Sequence, residues 1–108
     1  MRDSILIESF LEMMSAERGA AANTIEAYRR DLEETSDFLS SAKQSLIEAD
    51  SNTIRMVIED LSKRGFAASS QARHLSSLRQ FYQFLYAEGY RTDDPTAIVD
   101  GPKRQRTL

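Results

Sequence analysis

Ala68-Ser69-Ser70-Gln71-Ala72-Arg73-His74-Leu75-Ser76-Ser77-Leu78-Arg79-Gln80-Phe81-Tyr82-Gln83-Phe84-Leu85-Tyr86-Ala87 is the run that decides the fold. Ala72, Leu75, Leu78, Phe81, Tyr82 and Leu85 recur at three- and four-residue intervals, the spacing that gathers apolar side chains on one side of an α-helix. A helix is predicted from Ser69 or Ser70 to about Glu88. Phe81, Tyr82, Phe84 and Tyr86 surround it too fully for one core, so one or two of these rings are expected to pack elsewhere. Arg73, Ser76, Ser77, Gln80 and Gln83 repeat at the same intervals with Arg79 on the flank, which predicts a polar side opposite Leu75, Leu78 and Tyr82. No acid occurs between Ser69 and Ala87. Arginine bridges phosphates or forks onto guanine, glutamine pairs with adenine, and serine donates to phosphate oxygens. These residues are also ordinary surface residues, and composition alone favours a plain solvated face.

Charge sharpens that choice. The chain of 108 residues has a net charge of −3, but the charge is unevenly spread. Residues 3–60 hold thirteen acids against the five bases Arg18, Arg29, Arg30, Lys43 and Arg55. Residues 61–87 hold Lys63, Arg64, Arg73 and Arg79 and no acid, and Lys103, Arg104 and Arg106 make the last segment basic. A protein that is acidic in total can still present one phosphate-compatible face.

Outward from the central run, the same spacing predicts further helices. Ile7, Phe10, Leu11 and Met14 mark a first helix from about Ser4 to Arg18. Ile25, Tyr28, Leu32 and Leu39 mark a second, opened by Asn23 as cap with Glu26 three residues on. Asn23, Thr24, Arg29 and Arg30 gather near its start, where unpaired amide donors suit a phosphate. The Ser-rich stretch Ser36 to Ser45 is expected to be loop. Ile54, Val57, Ile58 and Leu61 mark a third helix from Asp50 or Ser51, with Lys63 and Arg64 in its last turn. Gly19, Gly65 and Gly89 each follow a helical pattern, where a left-handed cap favours glycine. Asp94-Pro95 predicts the start of a short fifth helix. The expected fold is all-α: a compact bundle of four to five helices over residues 1–100, with residues 101–108 beginning a basic linker.

Several functions find no support in these residues. There are no cysteines, so disulfides and thiolate metal sites are ruled out. The single histidine, His74, has no second histidine to share a metal with and is expected on a helix surface. Glu33, Glu34 and Asp37 read as a solvated face rather than an acid–base pair, because no nucleophile accompanies them. No run approaches the roughly 20 apolar residues of a membrane span, and the start does not read as a signal peptide. The expectation is a cytoplasmic, non-catalytic segment needing no cofactor, metal or small-molecule ligand.

Three blocks then resemble a known family. Asn23-Thr24-Ile25-Glu26-Ala27-Tyr28-Arg29-Arg30-Asp31-Leu32 resembles the second-helix signature of the amino-terminal domain of tyrosine recombinases, the phage integrase family. The run Ala68 to Arg79, continuing as Phe81-Tyr82-Gln83-Phe84-Leu85-Tyr86, resembles its fourth helix. Asp93-Asp94-Pro95-Thr96-Ala97 and Gly101-Pro102-Lys103 resemble the exit into its interdomain linker. Within the family the match is nearest to the Xer recombinases, on the XerD-like side.

The resemblance implies a SAM-like core-binding domain that clamps one side of a duplex recombination site, while a carboxy-terminal catalytic domain, absent here, holds the other. It implies DNA integration and recombination of the kind that resolves chromosome dimers, in a tetrameric synapse with other recombinase subunits, a XerC-like partner among them. The second and fourth helices would face DNA. With the charge map, this makes Asn23, Thr24, Tyr28, Arg29, Arg30, Ser69, Ser70, Arg73, Ser77, Arg79, Gln80, Lys103 and Arg104 the expected contacts. Tyr28 suits the core equally well. None of the tyrosines is expected to be a nucleophile, since no arginine cluster is present to hold a scissile phosphate. Replacing Arg73 and Arg79 with glutamate is expected to abolish binding without unfolding the bundle. The rival expectation is a helical protein–protein module with no DNA affinity.

Overall fold

Four runs carry the three-and-four apolar spacing, and each forms a helix in the computed structural model, which describes residues 2–99. They are α1 (Asp3–Ala16), α2 (Ala22–Ser41), α3 (Ser51–Lys63) and α4 (Ala68–Ala87). No strand occurs among the described residues. The predicted stripes become the core: Ile7, Phe10, Leu11 and Met14 from α1, Leu32 and Leu39 from α2, Ile54, Val57, Ile58 and Leu61 from α3, and Leu75, Leu78, Phe81, Tyr82 and Leu85 from α4. Phe10 is fully buried at the centre, its ring edge-on to Phe81 at 5.5 Å and near Phe84 at 5.7 Å. Burying such a side chain contributes roughly 1.5–3 kcal/mol. Of the aromatic residues on α4, Tyr86 is the one left exposed.

Polar clips then fix how the helices sit. Asp3 accepts from the Ser36 hydroxyl at 2.6 Å and from the Leu46 amide at 3.0 Å, which ties the start of α1 to the far end of α2. The buried Tyr82 hydroxyl donates to the Leu46 carbonyl at 2.6 Å. Arg91 donates to the Ile47 and Ala49 carbonyls and lies over the Tyr82 ring. Together these fasten the α2–α3 connection to the end of α4. Asp50 caps α3, accepting from the Thr53 amide and the Thr53 hydroxyl, each at 2.8 Å, and those hydrogen bonds hold its carboxyl below the ordinary carboxylate range.

Three local expectations need correction. The stretch from Ser36 to Ser41 is helix, not loop, because Thr35 and Leu39 bury a further turn of α2. That helix ends at a left-handed residue, Lys43 (φ 60°), with the Gln44 amide bonded to the Leu39 carbonyl and the Lys43 amide to that of Ser40. This is a Schellman ending built without its usual glycine, whereas Gly65 makes the same ending after α3 with φ 85°. A non-glycine residue there costs roughly 1 kcal/mol. Lys43→Gly is therefore expected to raise unfolding stability by up to about that amount. Urea denaturation checks this, and a loss of stability would show that the Lys43 side chain has an unseen role.

Asn23 does not cap α2. The cap is Ala21, Asn23 lies within the first turn, and Glu26 turns to Arg29 at 3.6 Å instead of back to the helix start. The fifth helix is also missing from the described residues. Asp94 does cap, accepting from the Thr96 amide at 2.9 Å, but the bonds that follow span three residues (Ala97 to Asp94, Val99 to Thr96), which closes tight turns and propagates no α-helix.

Candidate nucleic-acid interface

The α2–α4 contact organises the predicted site, and its centre is a residue the sequence reading passed over. Asp31, 1 % exposed, lies on the inner side of α2. It accepts from Arg73 twice, Nη2 to Oδ1 at 2.9 Å and Nε to Oδ2 at 3.2 Å, and from the Ser77 hydroxyl at 2.9 Å. The missing counter-charge on α4 is therefore supplied by α2. A carboxylate this deep is stable only when paired and hydrogen-bonded. Its clamp takes the inner edge of the guanidinium. The Arg73 side chain is still about half exposed, and its Nη1 has no hydrogen-bond partner among the described residues. The result is a pre-positioned cation with donors aimed at solvent, a geometry suited to a phosphate oxygen.

Ser77 was expected to face outward with Arg73. It is fully buried and spends its hydroxyl on Asp31, so it anchors Arg73 and contacts no ligand. His74 was expected on the surface and is likewise buried, with Nε2 at 2.8 Å from the Thr35 hydroxyl. Both lie where the α2 contact widens the buried side of α4 beyond the apolar stripe. Burial holds the imidazole below its ordinary pKa, against the opposing pull of Asp31.

The outer face of α4 keeps Ser69, Ser76 and Gln83 exposed, Ser70 and Gln80 half-buried, and Arg73 and Arg79 at its two edges. Six residues separate these arginines, which puts them roughly 120° apart around the helix. Arg79 is exposed but donates from Nη2 to the Val99 carbonyl at 2.7 Å. Arg18, carried in by the turn at Gly19, reaches Gln80 and adds a base the sequence reading did not place there. Nothing local in the sequence marks that contact, since 62 residues separate the pair.

On α2 the structure divides the predicted set. Thr24 and Arg30 are exposed, whereas Arg29 is tied to Glu8 on α1 and to Glu26. Tyr28 is half-buried, its ring 6.1 Å from that of Phe10. Arg30 shares the outer face of α2 with Glu26, Glu33, Glu34 and Asp37. Those carboxylates would repel a phosphate backbone, which leaves only the first turn of α2 suited to one. Neither α2 nor α4 has a side-chain cap, so both begin with free amide donors. Lys103 and Arg104 lie outside the described residues. No helix of the described chain is long and apolar enough to cross a membrane.

Residues 7–89 match the model of the phage integrase N-terminal SAM-like domain. The whole chain is 57 % identical to a tyrosine recombinase XerD of Brucella suis, covering 35 % of that protein. Over 94 % of the chain it is 61 % identical to a tyrosine recombinase XerD of Rhizobium meliloti and 48 % identical to one of Caulobacter vibrioides, covering 33 % of each. The chain thus spans about a third of the length of these curated relatives.

Proposed function

This chain belongs to the phage integrase N-terminal SAM-like family, and on that premise we propose that it grips one side of a duplex recombination site as the DNA-holding part of a Xer-type tyrosine recombinase. The observation that carries this reading is Arg73. A buried carboxylate holds its inner edge while the outer edge faces solvent beside a helix face free of acids. Thr24, Ser69, Ser76, Arg79, Gln80 and Arg18 are contacts of the second rank. Ser77 and Asp31 act behind Arg73 as positioning residues.

The rest of the reading rests on the relatives. Strand breaking and rejoining is assigned to a catalytic domain of the parent recombinase, and residues 1–100 are the gripping unit, with 101–108 opening the basic linker to that domain. Lys103 and Arg104 would add phosphate contacts from the linker. Further recombinase subunits, a XerC-like one among them, would complete a tetrameric synapse in the cytoplasm.

Salt decides between this and a protein-binding module. Each neutralised phosphate contributes about −0.9 to the log–log dependence of affinity on salt, so four or five contacts give a slope of roughly −4. Fluorescence anisotropy with a Xer-type duplex is expected to show that slope, with weaker binding to a scrambled duplex. A flat salt response, or no binding at low salt, would sink the DNA reading and favour an acidic protein partner for the basic face.

A further inference from the structure

Two buried side-chain polar atoms have no hydrogen-bond partner among the described residues, Gln44 Oε1 and His74 Nδ1. The second has a specific chemical meaning. The Thr35 hydroxyl has one hydrogen and two neighbours, the Asp31 carbonyl at 2.9 Å and His74 Nε2 at 2.8 Å. With that hydrogen on the carbonyl, the hydroxyl accepts from Nε2–H, and a neutral ring in this tautomer leaves a bare lone pair on the buried Nδ1. That lone pair faces Asp31 Oδ1 at 3.6 Å. Glu34, three residues from Asp31 and on the same flank of α2, completes a set whose ligand atoms all lie within 4.8 Å of one another. Lone pairs converging in a buried place repel unless something positive lies between them.

We propose that His74 Nδ1, Asp31 Oδ1 and Glu34 form a binding site for a divalent metal ion of the zinc class, bridging α2 and α4. One imidazole nitrogen and two carboxylate oxygens suit a borderline cation, with a fourth position for water. The outer partners are those that metal-bound histidines use: Nε2–H donates to Thr35, which in turn donates to the Asp31 carbonyl. Glu34 also lines a surface groove with Asp37, Phe38, Asp60 and Arg64, whose carboxylates attract a cation to that ligand.

Two arginines compete for these ligands without exhausting their lone pairs. Arg73 takes one lone pair of Asp31 Oδ1 at 2.9 Å, and a carboxylate oxygen has two. Arg64 reaches Glu34 only at 3.6 Å and has a nearer partner in Asp60 at 3.1 Å. The ion would fix Asp31 in place and so tighten the mount of Arg73.

The test uses the untagged 108-residue chain, whose single histidine makes the readout unambiguous. Zinc chloride is titrated while the imidazole nitrogens are followed by ¹⁵N NMR and the melting temperature is recorded. The expected result is one-to-one saturable binding, a shift confined to Nδ1 while Nε2 keeps its hydrogen, and a melting temperature raised by several degrees. Glu34→Gln, at a half-exposed position that leaves folding intact, is expected to weaken zinc binding at least tenfold. His74→Gln should abolish it where the variant folds. The proposal is overturned if Nδ1 carries a hydrogen at neutral pH without metal, if millimolar zinc leaves both readouts unchanged, or if the zinc effect survives Glu34→Gln.

Discussion

Arg73→Glu is expected to destabilise the domain by about 3–5 kcal/mol, the usual cost of leaving a buried charge without its partner. Set against the roughly 5–15 kcal/mol of a whole domain, this is a large loss. The double charge reversal at Arg73 and Arg79 therefore fails as a clean probe of DNA contact, contrary to the expectation from sequence. The new carboxylate would stand against Asp31, itself 1 % exposed. Two carboxylates sharing such a site hold one proton between them more tightly than the unfolded chain does. The folded variant thus binds the extra proton, and its stability is expected to rise as pH falls from neutral towards the carboxylate range, about 4. Arg73→Gln keeps a donor for Asp31 and is expected to cost less, about 1–3 kcal/mol. Urea denaturation of both variants at neutral and mildly acidic pH measures this. If Arg73→Glu is as stable as the parent at neutral pH, the Asp31 clamp is not what holds that arginine.

The same clamp shows where sequence reading stops. Stripes such as Ile54, Val57, Ile58 and Leu61 are legible because burial on a helix is periodic, and periodicity is local. The end of α2 is not legible, because the Ser-rich stretch from Ser36 to Ser45 reads as loop and the left-handed ending falls on Lys43, where no glycine marks it. Arg73, Ser77 and His74 all read as polar surface, since residue type and spacing cannot show what a neighbouring helix brings. Asp31 lies 42 residues from Arg73, and its pairing is a fact of packing. The family signature did extend over Asp31 and Arg73, yet a signature records residues without saying which of them face the ligand and which hold the ones that do.

Replacing the whole polar network with apolar residues is expected to separate positioning from stability. In a variant carrying Asp31→Leu, Thr35→Val, Arg73→Met, His74→Leu and Ser77→Ala, no buried polar side chain of the network is left unpaired. Buried ionic groups exchanged together for well-packed apolar ones are commonly neutral or stabilising by about 1–4 kcal/mol. The melting temperature is therefore expected to hold or rise. Duplex affinity is expected to fall at least tenfold at low salt, with the salt slope shallower by about one contact, because the cation and its mount are both gone. Measuring both with a chelator present keeps any bound cation out of the comparison. The physical reasoning is that an ion pair which adds little to stability is worth its desolvation when it holds a charge at a fixed point on the surface. A variant that is stable and still binds DNA as the parent does would show that the Asp31 network serves packing alone, and that the grip on the phosphate backbone lies elsewhere on the domain.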